Sequence, residues 1–193
     1  MKLLTMQSGY SLVETIIAIG ILMLAVVAPM TIAVKSIQSS QYVLEQNTAT
    51  FLAQEPISII EAMRDQAALI EFSKSGTHDF WAWTDLLPAS CTDGSGCNFD
   101  ARNPNNLNVS DIKDCAVAED CRLYYADTDE RSAYRTDNSL GGIASPYIRK
   151  LYIQKDDTYS IHLTSVVEWQ SNFLGQTQSV TLTSSLYNLY EGF

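Results

Sequence analysis

The sequence predicts an α+β chain in which a long N-terminal helix packs on a C-terminal antiparallel sheet of three to four strands, with a disulfide-bearing loop region between them. Three observations carry this expectation. An uncharged apolar run near the N-terminus gives way to a helical stripe of apolar residues. The last third alternates apolar and polar residues, and all four cysteines fall between these two regions.

With 193 residues, 46% hydrophobic and 18% charged, the chain fits one modest globular domain plus an unusually apolar element. A solenoid or a two-domain enzyme is not expected. The net charge of −10 disfavours polyanion binding, so no nucleic-acid partner is expected. Three Trp, ten Tyr and six Phe supply more buriable surface than an acidic disordered chain carries.

Residues 16–34 read IIAIGILMLAVVAPMTIAV, without a charge, and about 20 apolar residues suffice to cross a bilayer as a helix. A buried core helix is the bland alternative, but a helix of a soluble core is seldom apolar all round. A secretory signal peptide is the sharper rival. Its apolar region is shorter and ends at a small-residue cleavage site, whereas the best candidate here, Ala28, is followed by Pro29. Charge flanks do not orient the span, because Lys2 on one side balances Lys35 on the other.

Glu14 sits at the start of this region, where an ionisable side chain is costly and calls for a partner. A snorkelling carboxylate at the interface is the alternative. The run Gly9-Tyr10-Ser11-Leu12-Val13-Glu14 resembles the cleavage and methylation motif of type IV prepilins and pseudopilins, with Tyr10 where that family usually has Phe. The resemblance implies a leader of residues 1–9, cut after Gly9 by a prepilin peptidase on the cytoplasmic side, and methylation of the new α-amine of Tyr10. It further implies that Glu14 pairs with the Tyr10 amine of a neighbouring subunit, two charges that offset one another in an apolar filament core. The cysteines agree with export, since Cys91, Cys97, Cys115 and Cys121 all follow the span.

Past a transmembrane or filament-core helix of residues 10–35, an amphipathic helix is expected over 36–71. Leu44, Phe51, Leu52, Ile59, Met63, Ala67 and Ile70 share one helical face, which should pack on the sheet. Pro29 and Pro56 should kink or interrupt the helix, with Gln54-Glu55 the expected break.

Residues 72–146 lose all clean periodicity and read as a loop-rich disulfide region. Trp81 and Trp83 in HDFWAWTDLLP are expected to anchor it. CTDGSGC and CAVAEDC have equal spacing, and local pairing, Cys91 to Cys97 and Cys115 to Cys121, is expected. Crossed pairings differ from it by only about 1 kcal/mol in the chain-entropy model, so energetics leaves them open. A zinc site built from the four cysteines would normally use a shorter gap and is not expected.

Over 147–193 the C-terminal sheet is expected, from PYIRKLYIQ at 146–154, YSIHLTSVVEWQ at 159–170 and QTQSVTLTSSLYNLY from Gln176. In the middle run Tyr159, Ile161, Leu163, Val167 and Trp169 share one face, with Ser160, His162, Thr164 and Glu168 on the other, the pattern of a half-buried strand. A short fourth strand is expected from residues 122–126. The whole resembles the pilin fold, although the motif itself covers only residues 9–34.

No catalytic centre emerges. His78 and His162 read as surface histidines, and no phosphate loop, nucleophile elbow or zinc-protease pattern is present. Gly141-Gly142 reads as a turn. Asp127-Thr128-Asp129-Glu130 lacks the glycine and spaced ligands of an EF-hand and reads as a solvated acidic loop, so neither metal nor cofactor is expected. The only compact basic patch, Arg149-Lys150 with Lys155, is small against the acidic total.

The resemblance therefore implies a structural subunit, a minor pilin, of a type IV pilus-like filament serving adhesion, motility or DNA uptake. It would be held single-pass in the cytoplasmic membrane before assembly and in a pilus or periplasmic pseudopilus afterwards. Its partners would be other pilin subunits, the prepilin peptidase, the inner-membrane assembly platform and, before assembly, the membrane. A minor pseudopilin of a type II secretion system shares these features. A membrane-anchored exported binding domain or enzyme is the alternative of another class, and it predicts an uncleaved N-terminus.

Overall fold

The computed structural model describes residues 11–79, 89–92, 94–99, 112–128, 131–136, 142–156, 160–171 and 175–187. Helix α1 runs over Leu12–Ser73, and α2 is a single turn at Ala89–Thr92. Among the described residues seven strands follow: β1 (Cys97–Phe99), β2 (Ile112–Asp114), β3 (Arg122–Thr128), β4 (Arg131–Arg135), β5 (Ile143–Lys155), β6 (Ser160–Gln170) and β7 (Thr177–Tyr187). A 3-10 turn, Ala118–Cys121, leads into β3.

Two compact units divide the chain, Met1–Val43 and Leu44–Phe193. In the first, every residue from 12 to 41 is solvent-exposed on the helix. The second holds the rest of α1 against an antiparallel sheet. β6 lies between β5 and β7, while the other edge of β5 is shared by β3 at its start and β1 further along. β4 extends the sheet beyond β3 and β2 extends it beyond β1. The expected three to four strands thus become seven. β1 and β2 have three residues each, too few for a period to show, and their pairing is decided by partners distant in sequence.

The long strands obey their period. In β6 Ile161, Leu163, Val167 and Trp169 are buried, and residues 162, 164, 166 and 168 only partly so. Leu151, Ile153, Ile161, Leu163 and Leu186 meet Ile59 and Ile60 of α1, with Phe99, Cys91 and Cys97 completing the core. The first disulfide belongs to this core, and the second is buried outside it. Cys91 is bonded to Cys97 and Cys115 to Cys121, and all four cysteines are buried. The Cys115 N–H donates to the Gly96 carbonyl at 3.0 Å, tying one disulfide loop to the other. Gly96 has φ 80°, which favours glycine, and a Cβ there would press on the Tyr152 ring at 3.0 Å.

The helical stripe read from the sequence turns out to be wider than the face the sheet covers. Leu52 and Ile59 are buried and Met63 and Ala67 pack partly on the core, but Leu44, Phe51 and Ile70 are 63%, 71% and 51% exposed. At 3.6 residues per turn, Leu44 and Phe51 lie more than about 100° around the helix from Pro56. The covered face is centred on Ala49, Ala53, Pro56 and Ile60, all buried. Small residues bring helix and sheet close, and the largest side chains are left outside.

Helix α1 also continues through both prolines, without the break expected at Gln54-Glu55. Pro56 has no N–H to give the Leu52 carbonyl, a deficit that costs about 3 kcal/mol in a helix interior. Arg149 on β5 supplies the missing donor. Its Nη1 donates to the Leu52 carbonyl at 3.3 Å and to Glu55 Oε2. Nε donates to Asn98 Oδ1 at 2.8 Å and Nη2 to the Phe99 carbonyl at 2.7 Å. The basic patch expected at Arg149-Lys150-Lys155 therefore does not form, because Arg149 is buried to 2% exposure. At Pro29 the Ala25 carbonyl likewise loses its intrahelical donor, here in the exposed apolar run.

Two expectations follow. Phe51→Ser should change unfolding free energy by less than about 0.5 kcal/mol, whereas Leu52→Ala should cost about 2–5 kcal/mol, both measured by urea unfolding of the detergent-solubilised chain. Arg149→Met should cost about 3–5 kcal/mol by orphaning Glu55 and the two carbonyls. In a Pro56→Ala background that cost should fall, since the alanine N–H restores the Leu52 carbonyl's partner, and a double-mutant cycle reads the difference.

Candidate functional site

The two regions of functional interest are the exposed start of α1 and the surface of the disulfide-stapled unit. Gly9 and Tyr10 lie outside the described residues. Ser11 precedes the helix, and its carbonyl accepts from the N–H groups of Glu14 at 3.0 Å and Thr15 at 3.2 Å. Glu14 is thus in the first turn, where the partial positive charge of the helix start favours a carboxylate. Its side chain is exposed.

Beyond Glu14 the helix is long and apolar enough to span a membrane, with nothing in its most apolar stretch buried. Leu22, Leu24, Met30 and Ile32 are each at least 65% exposed. In water such a surface is a strong drive to associate, since each fully buried side chain of this size gains about 1.5–3 kcal/mol. The hydroxyls of Thr15 and Thr31 turn inward and donate to the carbonyls of Leu12 and Ala28, both at 2.8 Å.

In the second unit, three helix carboxylates fasten α1 to the sheet at successive points. Glu45 accepts from Trp169 Nε1 at 3.2 Å, and its backbone carbonyl accepts from the Tyr147 hydroxyl at 3.2 Å. Glu55 takes Arg149, and Glu61 accepts from the Ser184 hydroxyl at 3.3 Å. Tyr147 and Trp169 continue an aromatic row: Tyr125 to Tyr134 at 5.5 Å, Tyr134 to Tyr147 at 5.7 Å, Tyr147 to Trp169 at 6.1 Å. Burial, with Tyr134 alongside, pushes the Tyr147 hydroxyl up to about 12.

Both histidines lie at the surface, as expected, and each has polar partners there. His78 Nδ1 lies 2.8 Å from the Glu71 carbonyl at the end of α1, satisfying one of the helix's terminal acceptors. The buried Glu71 carboxylate pairs with Lys74, which holds its pKa below the ordinary value. His162 Nε2 meets Asp156 at 2.7 Å, and its Nδ1 meets the Ser185 hydroxyl at 2.6 Å. The register that sets His162 opposite Ser185 could be found only once β6 and β7 were paired. The chain has the order of a Ser-His-Asp relay, but His162 and Asp156 are 45% and 47% exposed and none of the three lines a described cavity. The three groups tie Asp156, just past β5, to His162 on β6 and Ser185 on β7.

Beside the second disulfide, a cavity of about 410 Å³ is lined by Lys113, Asp114, Glu119, Asp120, Tyr124 and Thr136. Glu119 is held by both arms of Arg122, at 2.6 and 2.7 Å. Among the described residues no three metal-ligating side chains converge. Of the acidic run, Asp127 and Thr128 lie on β3, while Asp129 and Glu130 lie outside the described residues, as do Trp81, Trp83, Tyr159 and Gly141. No protein-family model, no curated protein and no solved structure matches the chain.

A hydroxyl that ionises near 10 when unfolded and near 12 when folded gives stability that is complete below pH 10 and is lost as pH rises from about 10 to 12. Tyr147→Phe should remove that alkaline slope from urea-unfolding free energies and cost about 1 kcal/mol at neutral pH.

Proposed function

We propose that this chain is a structural subunit, a minor pilin, of a type IV pilus-like filament, made as a precursor and cut after Gly9. The observation that carries the reading is the uncharged, wholly exposed helix of residues 16–34, preceded by Gly9-Tyr10-Ser11-Leu12-Val13-Glu14 and followed by an α+β unit with two disulfides. A helix with this surface needs lipid or other helices around it. The same segment can be stored in the membrane and then transferred into a bundle of like segments with little change in how apolar its surroundings are.

Support comes also from the division of labour within α1. From Leu44 on, α1 is fastened to the sheet by Glu45, Glu55 and Glu61, so the globular unit has its own core. The disulfides are interior staples, suited to a small domain that must survive outside the cell. Partners on this reading are other pilin subunits, the prepilin peptidase and the inner-membrane assembly platform.

Intact mass and N-terminal sequencing of the native protein, from membranes and from sheared surface material, test the proposal. The expected chain begins at Tyr10, carries one methyl group and lacks the four hydrogens lost to two disulfides. A chain beginning at Met1, or cut beyond the apolar run, would return the protein to the anchored or secreted class.

A further inference from the structure

We propose that the edge of β7 receives an extended segment of another protein by antiparallel strand addition. The segment places a lysine or arginine opposite Ser179 and another opposite Ser184, with apolar residues opposite Val180 and Leu182. The edges of the sheet are unlike one another. On the side of β1 and β3 it ends in β2 and β4, of three and five residues. Both carry charge, Lys113 and Asp114 on β2, Arg131 and Arg135 on β4. Short, charged edge strands are the usual protection against pairing with another chain. On the other side the sheet ends in β7, eleven residues without a charge, a proline or a glycine. Its register against β6 is unbroken from Thr177 to Tyr187, so no bulge turns the edge away. Among the described residues β7 pairs with β6 alone, which leaves a row of outward N–H and C=O groups for water or for another strand.

The two faces of β7 set what the added strand carries. Val180, Leu182 and Ser184 are half-buried, on the same face as Leu186 of the core, while Ser179, Thr181 and Thr183 on the other face are exposed. Ile57, one turn before Glu61 on α1, is likewise only partly covered. Apolar side chains opposite Val180 and Leu182 extend the core layer, and hydroxyl side chains opposite Thr181 and Thr183 stay in water.

Charge fixes the ends of the segment. Glu61 meets β7 at Ser184, whose hydroxyl donates to Glu61 Oε1 at 3.3 Å. Glu168 lies on the opposite face of the sheet, across from Ser179 in the β6–β7 register. Both carboxylates are half-buried, and among the described residues neither has an ion-pair partner. Arg64, one turn along α1 from Glu61, is taken by Asp65, and β6 and β7 hold no lysine or arginine. A cation opposite Ser184 meets Glu61. One opposite Ser179 stands two strand spacings, about 10 Å, from the Glu168 backbone, and it reaches the carboxylate over the short serine side chain. The two cations thus point to opposite faces of the added strand. A second copy's β7 brings no cation and leaves both acids unanswered, so the occupant is a different protein.

A fluorophore-labelled peptide, Lys-Thr-Val-Thr-Val-Lys with blocked termini, tests this on the full chain in uncharged detergent, read by anisotropy. Read antiparallel to β7, it runs from the position opposite Ser184 to that opposite Ser179. Saturable binding is expected, and Lys-Lys-Thr-Val-Thr-Val, of the same composition, should bind at least about fivefold more weakly. Glu61→Gln and Glu168→Gln should each weaken binding about two- to fivefold. N-methylation of alternate backbone nitrogens, in one set of positions or the other, should abolish binding in the set that faces β7 and spare it in the set that faces water. The peptide series leaves the protein itself unchanged. Equal binding of the two lysine arrangements, equal loss with both methylated sets, or no saturable binding overturns the proposal. Thr181→Cys copies that cross-link to one another, undiminished by the peptide, would give the edge to a second copy and overturn it too.

Discussion

The folded unit depends on one buried guanidinium. Arg149 stands on β5 with its donors directed to α1 and β1, and it answers a deficit that the sequence of α1 creates. Pro56 cannot donate to the Leu52 carbonyl, and that carbonyl faces the sheet among buried neighbours. An unpaired carbonyl there costs about 1–3 kcal/mol, and a buried guanidinium without partners costs more. Each unsatisfied group meets the other's need, with Glu55 balancing the charge. Asn98 joins the same network to the second disulfide loop, donating to the Cys121 carbonyl at 3.4 Å while accepting from Arg149.

This arrangement explains why α1 can be one continuous helix and yet serve two environments. Along the globular unit, Ala49, Ala53 and Pro56 let the helix approach the sheet closely, and carboxylates at 45, 55 and 61 fasten it. Along residues 16–34 there is neither a small buried face nor a fastening charge. The first stretch satisfies itself within the chain. The second has apolar side chains on every side and takes its stability from lipid or from other helices.

Glu14 gains meaning from the same contrast. A carboxylate in the first turn of a helix is favourable in any setting, so its presence alone would not argue for assembly. Its distance from Lys35, and the absence of any charge between, are what make it informative. Two charges about a bilayer's thickness apart leave the run between them uncharged and long enough to span a membrane.

Much of the architecture was legible in the sequence because its causes are local. An uncharged run of residues makes its helix apolar all round whatever follows, and alternation over residues 160–170 assigns a buried and a wet face to β6 without knowledge of its partners. Leu44 and Phe51 could not be placed in this way. Which part of an apolar stripe is covered depends on where the sheet meets the helix, and small residues proved to mark that place. The burial of Arg149, read as part of a surface patch, was equally hidden, since the carbonyl that needs it lies 97 residues away. His162 joined Asp156 and Ser185 only through the pairing of three strands, and β1 and β2 exist only through partners. By itself the sequence determined the membrane-length helix, the motif before it and the long strands, because periodicity and charge act between near neighbours. The tertiary structure alone decided which polar groups are buried and which apolar ones face outward, because those outcomes depend on contacts between residues far apart in the chain.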